Sequence, residues 1–248
     1  MAGVFITGTD TEVGKTVVTG LLGHTWQAQG LRVITQKWVQ SGCVDFSEDI
    51  DIHLKLMGRS RDFVQDVREA VCPYLFELPA SGHLAAEAQG NVIDPAVIKH
   101  HYHSLERSFD RVLVEGMGGL LVPYSRRALI VDLVQDLNLP VLIVTKNKLG
   151  AINHTLLTIE ALQRRDIPIL GIVFNGPKGT DNAVTQDNPR IVQEISGIPI
   201  LGELPWTDDL NQLKAAFGPV SFALTQAFEK QGAMNQPPRC ISGDSRES

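Results

Sequence analysis

The sequence is short of cysteine and of positive charge, and it has no long apolar run. Its 248 residues include only three cysteines, Cys43, Cys72 and Cys240, an odd number at wide spacing. That excludes a disulfide framework and points to reduced thiols in a cytoplasmic protein. Lysine and arginine number 22 against 28 aspartates and glutamates, a formal net charge of −6. This balance argues against a general binder of nucleic acid or of an anionic membrane surface. No apolar stretch approaches the roughly 20 residues that cross a bilayer. The opening Met1-Ala2-Gly3-Val4 lacks the charged lead of a signal peptide and runs straight into a strand pattern. Internal repeats are lacking as well. What remains, 43% hydrophobic and 20% charged residues, is the composition of a globular protein with a sizeable core.

Within that composition, strand-like and helix-like patterns alternate. Strands are predicted over residues 4–7, 31–37, 111–115, 140–145, 168–175 and 198–202. Their centres, such as Val112-Leu113-Val114 and Val141-Leu142-Ile143-Val144, are continuously apolar, as in a parallel sheet buried on both faces. Helices are predicted over 14–29, 50–57, 83–88, 95–108, 129–137, 152–165 and 190–195. The segment Asp94-Pro95 supplies a capping carboxylate before a first-turn proline. This alternation predicts an α/β fold: one P-loop NTPase-like domain over 1–230, doubly wound, with a mainly parallel sheet and helices on both faces. Residues 231–248 read as a disordered tail.

The strongest local signal is Gly8-Thr9-Asp10-Thr11-Glu12-Val13-Gly14-Lys15-Thr16, between the first strand and the first helix. Such a loop turns its backbone N–H groups onto a phosphate. Lys15 covers the outer phosphates, Thr16 offers a hydroxyl to Mg²⁺, and the helix adds its positive end. Five residues separate the two glycines, one more than in the common nucleotide loop. The strand over 111–115 releases Glu115 into Gly116-Met117-Gly118-Gly119, so this carboxylate can reach a metal held by Thr16. The neighbouring strand delivers Lys37-Trp38-Val39-Gln40-Ser41-Gly42, which places Lys37 to hold an anion undergoing phosphoryl transfer. The acids Glu48, Asp49 and Asp51 open a helix, where they favour its dipole whatever their function. Lys148-Leu149-Gly150-Ala151-Ile152-Asn153-His154 begins another helix, and Asn175 ends a strand. Of His100, His101 and His103, only the first and last share a helix face, so no metal site is expected there.

These motifs, in this order, resemble those of the dethiobiotin synthetases. The likeness spans residues 3–206 and includes Gly202-Glu203-Leu204-Pro205-Trp206. It implies a homodimer that uses ATP, Mg²⁺ and carbon dioxide to close a cyclic urea on a diaminononanoate. Carried over position by position, Glu12, Val13, Gly14, Lys15, Thr16 and Val17 wrap the phosphates, and Thr16, Asp51 and Glu115 surround Mg²⁺. By the same resemblance Lys37 is the catalytic lysine, with Lys15 assisting, and Thr11 and Ser41 face the substrate. Gly116, Met117 and Gly118 lie near nucleotide or substrate, and Asn175, Gly176, Leu204, Pro205 and Trp206 surround the adenine. Lys148, Leu149, Gly150 and Asn153 receive the substrate's carboxylate end across the dimer.

The chain departs from that pattern where the family usually has proline at Trp38, alanine at Met117 and proline at Gly82. Trp38 is expected to narrow the substrate channel, and residues 180–189 offer no matching motif. The alternative reading is a switch ATPase of the partitioning or septum-placement type, which shares the loop style. Those proteins carry a further lysine near the start of the loop, where this chain has Thr9-Asp10. A catalytically degraded relative of the synthetase is the other alternative.

Overall fold

The computed structural model describes residues 2–176 and 183–234. Its elements run β1 (Gly3–Gly8), α1 (Lys15–Ala28), β2 (Val33–Lys37), β3 (Val39–Ser41), α2 (Glu48–Met57), a 3-10 segment (Arg61–Val67), α3 (Arg68–Val71), β4 (Tyr74–Phe76), α4 (Gly82–Ala88) and α5 (Pro95–Ser108). After these come β5 (Arg111–Gly119), β6 (Pro123–Ser125), β7 (Ala128–Leu129), α6 (Ile130–Asp136), β8 (Val141–Lys146), α7 (Ala151–Gln163), β9 (Ile169–Asn175), α8 (Ala183–Ser196), β10 (Ile200–Leu204) and α9 (Leu210–Met234).

Six strands form one parallel sheet in the order β10-β9-β8-β1-β5-β2. Side chains alternate between its two faces. Phe5 joins one apolar layer, with Ile98, Leu105, Val131 and Leu162 of the covering helices. Val4 and Ile6 join the other, with Val18, Leu22 and Trp26 of α1. Burial on both faces accounts for the unbroken apolar runs. The chain order reverses around β1, and ligands of such sheets lie beyond the carboxyl ends of the strands at that reversal. Gly8, Lys37 and Glu115 stand at or near those ends.

Short elements that were not expected (β3, β4, β6, β7, the 3-10 segment and α3) join the predicted ones, and three longer elements also differ from expectation. β5 continues four residues past Glu115, to Gly119. α8 begins at Ala183 and carries Pro189 within it, so the helix is longer than the predicted 190–195. α9 was not anticipated at all. Gly218-Pro219 interrupts its pattern, yet Phe217, Val220, Leu224 and Phe228 recur at helical spacing and are all buried. They close the second apolar layer, and Trp26 Nε1 donates to Thr225 Oγ1 at 2.8 Å to tie α9 to α1. α9 also crosses the predicted domain end at 230; the remaining residues of the predicted tail, 235–248, lie outside the described residues.

Candidate active site

The phosphate loop is built by close backbone approach. Gly14 has φ 97°, and a Cβ there would stand 1.9 Å from Asn175 Nδ2, so this position takes only glycine. Asn175 Nδ2 donates to the Val13 carbonyl at 2.5 Å, pinning the loop to the end of β9. Glu12 adopts a left-handed conformation with φ 54°. α1 then starts at Lys15 with no side-chain cap on its first N–H groups, which leaves them to an anion. Lys15 is buried, and its Nζ donates to the Asp10 carbonyl at 3.0 Å. Burial, and then the ammonium of Lys37, hold its pKa down at about 8.

Beside the loop, four elements (α1, β2, α2 and β5) bring four charged or hydroxyl groups together. β2 and β5 place Lys37 directly opposite Glu115 in register. Lys37 Nζ lies 2.6 Å from Asp49 Oδ2 and 2.9 Å from Glu115 Oε1, and it also donates to the Gly116 carbonyl at 3.0 Å. Thr16 Oγ1 lies 3.2 Å from Asp49 Oδ1 and 3.1 Å from Glu115 Oε1. Burial alone would raise the Glu115 pKa, but Lys37 and then His53 hold it down at about 2. Burial likewise opposes the charge on Lys37, yet Glu115 and Asp49 outweigh it and raise its pKa. The group is therefore an ion pair, with Thr16 between the carboxylates.

Asp51, expected at the metal, lies outside this cluster. Its carboxylate pairs with Arg61 at the surface. Residues two apart on a helix point about 200° away from each other, so only one of the two acids faces the loop. That one is Asp49, at the start of α2, whose cap is Ser47 Oγ accepting from Ile50 N at 3.2 Å. One turn further on, His53 faces the same way and meets Glu115 Oε2 at 2.7 Å. Nothing in the sequence signalled His53.

A hydroxyl and two carboxylates make an all-oxygen donor set that fits a hard divalent cation such as Mg²⁺. Among the described residues no group of three or more His, Cys, Asp and Glu side chains is arranged to hold a metal. Thr16, Asp49 and Glu115 would therefore complete a shell together with a nucleotide's phosphates.

Several predicted positions gather at the other side of the loop. Asn175, Gly176, Leu204, Pro205 and Trp206 line one cavity of about 240 Å³ that reaches Gly14 and Val17. Lys146 also lines it, paired in register with Asn175, and sequence reasoning missed this residue. Gly116 packs against β1, since a Cβ there would lie 2.8 Å from the Phe5 ring. Gly118 has φ 60°, and the Cβ position there lies 3.6 Å from Thr11 Cγ2. A second cavity, of about 310 Å³, opens between the loop and α7, where Thr9, Asp10, Leu121, His154 and Leu157 face it.

Other predicted positions stand apart. Ser41 is half-buried on β3 and makes no side-chain hydrogen bond to the cluster among the described residues. Lys148, Leu149, Gly150 and Asn153 are exposed, and none of them lines the second cavity.

The departures from the family pattern have local explanations. Trp38 does not narrow a channel. It is fully buried, packs against Phe5 with ring centroids 5.1 Å apart and planes tilted by 33°, and donates from Nε1 to Gln36 Oε1 at 3.0 Å. Gly82 and Met117 compensate each other, because a Cβ on Gly82 would lie 2.9 Å from Met117 Cε. The methionine fills the space that a larger residue at 82 would take. Burial pushes the Cys72 thiol up to about 12, so it is unreactive as a nucleophile.

A family model described as an AAA domain, AAA_26, matches residues 2–214. ATP-dependent dethiobiotin synthetase BioD 2 of Haemophilus influenzae is 43% identical over 173 residues, 70% of this chain and 90% of that protein. ATP-dependent dethiobiotin synthetase BioD of Chlorobaculum tepidum is 43% identical over 203 residues, 82% of this chain and 84% of that protein. Among solved structures, cobyrinic acid a,c-diamide synthase from Mycobacterium smegmatis, with bound ADP and magnesium, matches with a TM-score of 0.56 at 17% identity, covering 96% of this chain and 98% of that one. The MinD cell division protein of Aquifex aeolicus matches at 0.55 and 17%, covering 96% and 99%. At that identity the structural matches establish the P-loop α/β fold and nothing finer. The sequence matches go further, and the chain belongs to the family of ATP-dependent dethiobiotin synthetases.

Proposed function

We infer that this chain is an ATP-dependent cyclo-ligase that joins carbon dioxide to 7,8-diaminononanoate to make dethiobiotin. One observation carries the reading at the level of chemistry: a buried lysine, Lys37, stands at the phosphate loop between Glu115 and Asp49. One amine of the substrate adds to carbon dioxide, giving a carbamate. A carbamate oxygen attacks the γ-phosphorus, releasing ADP and forming a carbamic–phosphoric anhydride. The second amine attacks the anhydride carbonyl, phosphate leaves, and the urea ring closes. Phosphoryl transfer of this kind needs positioning and charge neutralisation more than covalent help. Lys15 and the first N–H groups of α1 hold the phosphates, and Lys37 neutralises the oxygens as charge moves between carbamate and γ-phosphate. Thr16, Asp49 and Glu115 would hold Mg²⁺, which supplies charge neutralisation on the phosphate oxygens when bound. The cavity at Asn175 and Trp206 suits the base of ATP. We assign the second cavity to the diamine, and the family resemblance adds Thr11 and Ser41 to its contacts.

The working unit is a homodimer in the cytoplasm. Exposed Leu121 and Leu157 at the second cavity, together with exposed Leu149 at the start of α7, give a partner an apolar surface to cover, which would bring Lys148, Gly150 and Asn153 to the partner's substrate. The free thiols Cys43 and Cys72 suit a reducing compartment.

ADP release tests the reading. The wild-type protein should release ADP rapidly only when the diamine and bicarbonate are both present. Lys37→Ala should lose at least about 100-fold in kcat, the scale for one preorganised charge, while ATP affinity changes only a few-fold. ADP release indifferent to the diamine would overturn it.

A further inference from the structure

Glu115 is held at both carboxylate oxygens. Its Oε1 faces Thr16 Oγ1 at 3.1 Å and Lys37 Nζ at 2.9 Å, whereas its Oε2 faces His53 Nε2 at 2.7 Å. A carboxylate of this kind only accepts hydrogen bonds, so Nε2 carries the hydrogen and donates it. His53 is fully buried, and its other nitrogen, Nδ1, has no hydrogen-bond partner among the described residues. Among the described residues Glu115 is therefore the one hydrogen-bond partner of the ring. A leucine would serve packing alone as well, and the imidazole differs by the hydrogen bond it gives. α2 carries Asp49 and His53 one turn apart, so a single helix supplies one carboxylate to the site and a clamp on the other.

We propose that His53 is a positioning residue: it fixes the Glu115 carboxylate so that Oε1 alone is offered to the divalent cation and to Lys37. The terminal torsion of a glutamate is soft. Without the clamp, Oε2 is free to swing onto Lys37, and the carboxylate then closes on the ammonium instead of facing Thr16. Groups that orient metal-facing carboxylates commonly change metal affinity by 10- to 100-fold. This inference rests on the reading of Thr16, Asp49 and Glu115 as the cation site.

Three variants separate a hydrogen bond from packing. His53→Gln places an amide N–H near the position of Nε2, His53→Asn is too short to reach, and His53→Leu has no donor. The probe is Mn²⁺, with free ion counted by electron paramagnetic resonance at increasing protein–ADP concentrations. ADP binding in EDTA is measured alongside. His53→Leu and His53→Asn should bind Mn²⁺ in the ADP complex at least about tenfold more weakly than wild type, with ADP affinity in EDTA unchanged. His53→Gln should return to within about threefold of wild type. If the leucine variant does not fold, the asparagine–glutamine pair carries the test. Equal Mn²⁺ binding by wild type and His53→Asn would overturn the proposal, as would a glutamine variant no better than asparagine. Failure of the wild type itself to hold Mn²⁺ with ADP would instead overturn the cation site on which the proposal stands.

Discussion

Two acids lie two residues apart at the start of α2, and only one of them faces the chemistry. Asp49 meets Lys37 and Thr16, while Asp51 pairs with Arg61 at the surface. Asp49→Asn should therefore lower turnover by about 10-fold or more, whereas Asp51→Asn should leave it near wild type, because exposed ion pairs contribute little. Steady-state kinetics on the two variants checks this, and the reverse ranking would contradict the assignment. Asp51 was expected at the metal because Asp51-Ile52-His53-Leu54 fits the family's acid-then-apolar spacing, and such spacing cannot tell which side of a short helix faces inward. The loop residues Gly14, Lys15 and Thr16 were legible, since their roles follow from local chain geometry. Asp49 meets Lys37 and Thr16, 12 and 33 positions away, and His53 meets Glu115, 62 positions away, and no local pattern encodes such meetings. Lys15 adds a pH dependence. Burial and Lys37 hold it at about 8 in the free protein, and bound phosphate raises it again. Below pH 8 the side chain is already charged, so affinity for ADP is level there. Above pH 8 binding must take up a proton, and affinity falls by up to about tenfold per pH unit. Calorimetry at pH 8.5 in buffers of differing ionisation enthalpy should detect net proton uptake, and none would contradict the shifted lysine.

The elements that carry the site were legible for a physical reason. β1, β5 and β8 are buried on both faces, so they appear as apolar runs, and β2 begins with Val33-Ile34; at or near the carboxyl ends of these strands stand Gly8, Lys37, Glu115 and Lys146. α9 was hidden because Gly218-Pro219 breaks the appearance of a helix at its middle. Tertiary packing overrides that weak propensity. Phe217 and Leu224 are buried against the second apolar layer, and Thr225 accepts from Trp26. Phe217→Ala should cost roughly 3–5 kcal/mol of stability, the usual range for emptying a buried phenylalanine site. Urea unfolding of the two proteins measures it; a loss under about 1 kcal/mol would mean that α9 does not close the core.

At the scale of the whole molecule, fold alone does not decide what the protein does. The MinD protein and the diamide synthase share the architecture at 17% identity, and a loop that grips ATP serves a switch as readily as a synthetase. The two readings differ in which oxygen attacks the γ-phosphorus. In a switch ATPase it comes from water; in the ligase it comes from carbon dioxide by way of the carbamate. Rapid single turnover with freshly dissolved ¹⁸O-labelled carbon dioxide, ATP and the diamine in unlabelled water separates them. The account predicts one ¹⁸O in the inorganic phosphate and a labelled carbonyl in the product ring. Phosphate carrying only solvent oxygen would contradict it.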